Sequence, residues 1–222
     1  MHRLPFGTAI ADRNVDQLIA ARQRLAKLKR AFAPDLVHIH GFGPSILFHF
    51  ETTDAYPSRL LVTLIDELPR RGGHELLGRT LRSADWVTAK STAVLAQAQQ
   101  FAPEIMTRSC IIHNGLEVPA LVPAPLPMEA PRLLCLGRLV VQKGFDLAIK
   151  AFASIADRFS NVRVVVAGDG PERSSLEHQV AQLGLGNIVN FVGWVSPDRV
   201  FALINSSTMV LMPSRWEGLP SV

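Results

Sequence analysis

Short apolar runs alternating with amphipathic stretches recur along the whole chain. In the first half, Leu36-Val37-His38-Ile39, Leu60-Leu61-Val62-Thr63-Leu64, Trp86-Val87-Thr88-Ala89 and Cys110-Ile111-Ile112-His113 read as strands, with helical stretches between them. Strands that alternate with helices predict a doubly wound parallel sheet. From Glu117 to Pro131 the period stops, and Pro119, Pro123, Pro125, Pro127 and Pro131 mark a semi-rigid linker. A second series then runs through Leu133 to Leu136, Val162 to Ala167, Ile188 to Val192 and Thr208 to Leu211. The expected organisation is two α/β domains, 1–116 and 132–222, joined by 117–131. Leu147, Ile149, Ala151 and Phe152 are expected to form the inner face of the helix after Leu136.

One stretch stands apart from the sheet pattern. Between Asp16 and Pro34, Leu18, Ala21, Leu25, Leu28 and Phe32 fall on one helical face, while Arg22, Arg24, Lys27, Lys29 and Arg30 crowd the rest. Such a stretch reads first as an ordinary surface helix packed on the sheet, and a basic amphipathic helix of this kind also suits peripheral contact with an anionic membrane through residues 16–33.

Composition adds bounds rather than direction. With 48% hydrophobic and 19% charged residues, 222 residues can bury a core. No run of 18 or more apolar residues occurs, and no secretory pattern opens the chain. Cys110 and Cys135 lack any metal or redox spacing and read as buried thiols of a reducing compartment, which points to the cytoplasm. The net charge of +4 comes from scattered basic residues without interleaved aromatics, so nucleic acid is not an expected partner. A Rossmann dinucleotide fingerprint and a Walker A pattern are both absent.

Candidate chemistry gathers at two loops. Leu136-Gly137-Arg138-Leu139-Val140-Val141-Gln142-Lys143-Gly144-Phe145-Asp146 leaves a strand and enters a helix, and ligands of open parallel sheets collect at such carboxyl ends. Arg138 and Lys143 there would face one anionic group. Met212-Pro213-Ser214-Arg215-Trp216-Glu217-Gly218-Leu219-Pro220 follows the last strand, and its glycine and proline suit a tight anion-binding turn opening a helix. Val164-Val165-Val166-Ala167-Gly168-Asp169-Gly170-Pro171 is a strand followed by a glycine turn, and Asn190-Phe191-Val192-Gly193-Trp194-Val195 precedes a helix capped by Ser196.

In order and spacing these pieces resemble the retaining nucleotide-sugar glycosyltransferases of family 4, which have the GT-B fold. The resemblance covers about the last 90 residues well and the first 115 less well. It implies that Arg138 and Lys143 grip the donor diphosphate and that Glu217 reaches the donor sugar. It further implies that Gly218 and Leu219 offer backbone N–H groups, that Gly137 and Gly168 line the donor site, and that Val192 and Trp194 border the nucleobase. Trp194 has two readings, a base-stacking platform or a ring packed on the domain edge. In the first half, Pro34-Asp35-Leu36-Val37-His38-Ile39-His40-Gly41 resembles the strand that ends near the family's cleft, so His40 is placed to reach a sugar hydroxyl, while His38 reads as a satisfied core histidine.

The implied reaction moves a sugar from a nucleotide-diphosphate donor to a glycan or lipid-linked acceptor with retention. It needs no cofactor or metal, and no Asp-x-Asp motif is present. Three features depart from the family. Ile65 stands before Asp66 where the family usually has a histidine, and a second glutamate, usual eight positions after the first, would fall three beyond Val222. The opening residues also lack the family's first strand and glycine-rich loop. These departures predict a chain cut at both ends, with both domains incomplete and inactive as it stands. The alternative is a non-catalytic remnant or a subunit completed by a partner.

Overall fold

The computed structural model describes the chain except residues 1–3, 5, 69–73, 118–119 and 220–222. The expectations resting on Pro119 and on a helix opening at Pro220 lie outside the described residues. The remainder forms two compact units. One runs to Gly115 and includes Gly218 and Leu219, and the other runs from Leu116 to Glu217.

In the first unit the order is α1 (Phe6–Ala11), α2 (Val15–Phe32), β1 (Leu36–His40), α3 (Pro44–Phe50), β2 (Arg59–Leu64), α4 (His74–Ser83), β3 (Trp86–Ala89), α5 (Thr92–Phe101) and β4 (Ser109–Ile111). All four strands pair in parallel in sequence order. One face of this sheet contributes Ile39, Leu60, Val62, Leu64 and Val87 to a core closed by Leu77 and Leu81 of α4 and Val94 and Ala98 of α5. The opposite face is more polar. There His38 Nε2 lies 2.7 Å from Thr63 Oγ1, which lies 2.7 Å from Thr88 Oγ1, a hydrogen-bonded row across three strands. His38 is therefore hydrogen-bonded but exposed, not a core histidine.

Helix α2 corrects the amphipathic reading. Asn14 caps it by accepting from Gln17 N, and Ala33 ends it in the left-handed region at φ 48°. Lys29, assigned above to the outer face, is only 5% exposed, whereas Phe32, assigned to the inner face, is 76% exposed. The Lys29 ammonium donates to His49 O, 3.4 Å away, and Thr52 O, 3.2 Å away, and lies 3.3 Å from His49 Nδ1. It thus adds a charged donor to carbonyls at and just beyond the C-terminus of α3, where a positive charge is favoured. No helix among the described residues is long and apolar enough to cross a membrane.

The second unit contains β5 (Arg132–Leu136), α6 (Phe145–Ala153), β6 (Arg163–Ala167), α7 (Arg173–Gln182), β7 (Val189–Gly193), α8 (Pro197–Asn205) and β8 (Met209–Leu211), in a parallel sheet of order β7-β6-β5-β8. Helices α6 and α7 cover one face through Phe145, Ile149, Phe152, Leu176 and Val180. On the other face Leu203 and Ile204 of α8 pack on Leu134, Leu136 and Ala167. The spacing 145, 149, 152 is the buried stripe of α6. Leu147 and Ala151 stand off that stripe and are exposed, contrary to the sequence reading. Among its described residues the proline-rich segment carries no helix or strand, and it is fastened to this unit. Ala124 N donates to Asn205 Oδ1 at 3.0 Å, and Asn205 Nδ2 donates to Val122 O at 2.9 Å.

Candidate functional site

The carboxyl ends of β5, β6 and β7 are tied directly to one another. Gly137 N donates to Ala167 O at 2.9 Å, Gly168 N to Gly193 O at 2.7 Å, and Leu139 N to Asp169 O at 2.9 Å. This approach depends on glycine. Gly168 has φ +140°, and a Cβ there would collide with the carbonyl oxygen of Gly137. The three strand-to-helix loops thus form one continuous rim, on which Arg138 stands exposed, with no side-chain partner among the described residues.

After Val140 a single 3-10 turn, Val141–Lys143, leads through Gly144 into α6. Gly144 takes φ +66°, and a Cβ there would meet Pro213 O, so the segment after β8 can lie against this turn only because residue 144 has no side chain. The result joins two of the sequence-selected residues. Lys143 Nζ is 2.6 Å from Glu217 Oε1, and their side chains are only 14% and 19% exposed. Ser214 Oγ donates to the same oxygen at 2.9 Å.

Around this pair lies a set of contacts that the sequence reading missed. Arg215 makes a two-pronged ion pair with Asp146, Nη1 to Oδ1 at 2.8 Å and Nη2 to Oδ2 at 2.7 Å. The guanidinium also reaches Val141 O at 2.7 Å. Arg215 N donates to Gln142 O at 2.8 Å, and Gln142 Nε2 donates to Trp216 O at 3.0 Å. The hydrogen bond from Arg215 holds the Asp146 carboxyl below its ordinary value. Arg215 and Asp146 were both visible in the two motifs, yet nothing in their spacing along the chain signals that they meet.

Among the other selected residues, Val192 and Trp194 line a separate cleft of about 580 Å³ with Arg199, Leu203 and Ser206. Trp194 is 72% exposed, which leaves its ring face open rather than packed on the domain edge. Ser196 occupies the N-cap of α8 without a capping hydrogen bond. His40 belongs to the first unit, at the carboxyl end of β1, exposed and with its ring 5.8 Å from that of His38. Gly218 and Leu219 follow Glu217 in a bend. Cys135 is buried, which pushes its thiol up to about 12, and Cys110 is half-buried and accepts from Trp86 Nε1 at 3.4 Å. Among the described residues no group of three or more His, Cys, Asp or Glu side chains is placed to hold a metal ion.

Residues 122–222, which contain every contact of the Lys143–Glu217 site, match the family profile Glycosyl transferases group 1. They form a glycosyl transferases group 1 domain. Beyond this domain, the 2-deoxystreptamine glucosyltransferase of Streptomyces kanamyceticus is 26% identical over 96% of this chain and 62% of its own length. The alpha-D-kanosaminyltransferase of the same organism is 34% identical over 41% of this chain and 24% of its own length.

Solved structures share the fold over most of the chain. Sucrose-phosphate synthase from Thermosynechococcus elongatus superposes with a TM-score of 0.73 at 17% identity, over 93% of this chain and 58% of that one. HepE from Anabaena, solved in complex with UDP and glucose, superposes with a TM-score of 0.71 at 20% identity, over 90% of this chain and 58% of that one. The two parallel-sheet units thus match the GT-B fold, and the chain spans less than two thirds of each of these relatives.

Proposed function

We propose that this chain belongs to a retaining glycosyltransferase that takes its sugar from a nucleotide-diphosphate donor and passes it to a glycan or lipid-linked acceptor. The observation that carries this reading is the meeting of Lys143 and Glu217 at 2.6 Å on the carboxyl side of a parallel sheet, with the exposed Arg138 on the same strand-to-helix loop as Lys143. When the bond between the anomeric carbon and phosphate breaks, negative charge grows on the diphosphate and the sugar becomes oxocarbenium-like. Fixed cations lower the energy of that state because they need no reorganisation as the charge appears. Arg138 bonds phosphate oxygens in bidentate fashion, and Lys143 adds a point charge. Glu217, released from Lys143 by the incoming donor, orients sugar hydroxyls rather than attacking carbon. Gly218 and Leu219 add backbone donors, and the open ring of Trp194 offers a stacking face for the base. The leaving phosphate helps to deprotonate the acceptor on the same face, which retains the anomeric configuration.

Nucleoside diphosphates and their glucose conjugates titrated calorimetrically into the protein test this reading. One of them is expected to bind, and Arg138→Ala and Lys143→Ala to weaken it. In an active parent, Arg138→Ala is expected to cost about 2–4 kcal/mol of transition-state stabilisation. Turnover equal to the parent's would remove Arg138 from the mechanism.

A non-catalytic role has one specific observation in its favour. Ile65 has no hydrogen-bonding side chain where the resemblance calls for a histidine. In that case the donor binds without turnover, and Ile65→His does not create it.

A further inference from the structure

The Arg215 contacts do more than decorate the loop that carries Glu217. Segment Arg215–Glu217 has no regular secondary structure, and the local bond on the glutamate comes from the Ser214 hydroxyl. The segment's placement is set from outside, by the backbone bond to Gln142 O, the side-chain bond from Gln142 to Trp216 O and the guanidinium of Arg215. Lys143 lies within the very turn that these bonds grip. An ion pair that is single, mobile and exposed contributes little, but this one is two-pronged, about 30% exposed on each side and reinforced by a main-chain carbonyl.

We propose that Arg215, paired with Asp146 and seconded by Gln142, is a positioning residue that locks the Glu217 segment onto the Lys143 turn, so that both side chains address one anionic donor. Three of the five guanidinium N–H groups of Arg215 are committed to Asp146 and Val141 O, so the role assigned to it is to hold the loop rather than to touch the donor. The inference rests on the donor-binding reading above, but the lock is also measurable without a donor.

Two substitutions separate positioning from direct anion binding. Asp146→Asn keeps the Arg215 charge and removes a negative charge near the donor, so a direct phosphate contact predicts equal or tighter binding of a nucleoside diphosphate. Positioning predicts the reverse, a loss of about tenfold, with a similar loss in Arg215→Ala and partial recovery in Arg215→Lys. UDP, GDP and ADP serve as probes by calorimetry, with circular dichroism and thermal melting to show that each variant is folded.

Hydrogen exchange of the free protein supplies the second measurement. Backbone amides of Lys143–Asp146 and Arg215–Glu217 are expected to exchange faster in both variants than in the parent. Tighter or unchanged UDP, GDP or ADP binding in Asp146→Asn overturns the proposal. If the parent binds none of the three, the donor reading fails, and the lock is then judged on exchange alone. Unchanged exchange in Arg215→Ala overturns it.

Discussion

Single residues decide how closely the loops of the second unit can approach. Gly168 illustrates the rule, since its amide reaches Gly193 O at 2.7 Å while its Cα faces the Gly137 carbonyl. An alanine there is strained at φ +140° and collides with backbone that cannot move aside. Gly168→Ala is expected to lose more than about 2 kcal/mol of stability, read from the denaturant midpoint. Gly186→Ala, whose Cβ would meet nothing within 4 Å, is the control and should stay within about 0.5 kcal/mol of the parent. A glycine after a strand is easily recognised as a turn in the sequence. Its partner carbonyl, 31 residues earlier in the chain, is not.

Helix α2 is joined to α3 by a buried polar contact where its sequence promised an apolar one. An ammonium has three donors and no acceptor, so the His49 Nδ1 that faces Lys29 offers its lone pair and the ring is neutral with its proton on Nε2. Burial, with the Lys29 charge second, lowers the His49 pKa from 6.5 to about 4. Between these values the unfolded chain binds a proton that the folded chain refuses, so stability falls as pH drops from 6.5 towards about 4 and is unaffected by this group above 6.5. The denaturation midpoint measured across this range should decline, and His49→Asn, which keeps an acceptor without titrating, should decline less. Equal slopes would show that His49 contributes nothing to the acid sensitivity. The strands themselves were legible. Trp86–Ala89 agrees end to end, and the seven others overlap their predicted runs with ends shifted by up to two residues. Parallel strands buried on both faces write continuous apolar runs, whereas a helix that buries a lysine writes a misleading stripe.

In the molecule as a whole, the second unit leaves an apolar groove of about 720 Å³ along β8 and α6, lined by Leu133, Leu147, Ile155, Phe159, Met209 and Met212. Strand β8 is an edge strand of its sheet among the described residues, so an open backbone edge and exposed apolar side chains coincide there. Concentration-dependent association in sedimentation velocity is expected, and Met209→Lys should reduce it. Association unchanged by the lysine would place the contact elsewhere. The sequence by itself determined the alternation of strands and helices, the two series of parallel strands and the residue types of the two candidate loops, because periodicity and turn chemistry are local. It could not reveal that Lys143 meets Glu217 or that Arg215 grips Asp146, pairs 74 and 69 residues apart. Those contacts depend on how far each loop projects from its strand and on which glycine lets two backbones touch. Such distances exist only once the sheet has brought β5 and β8 side by side.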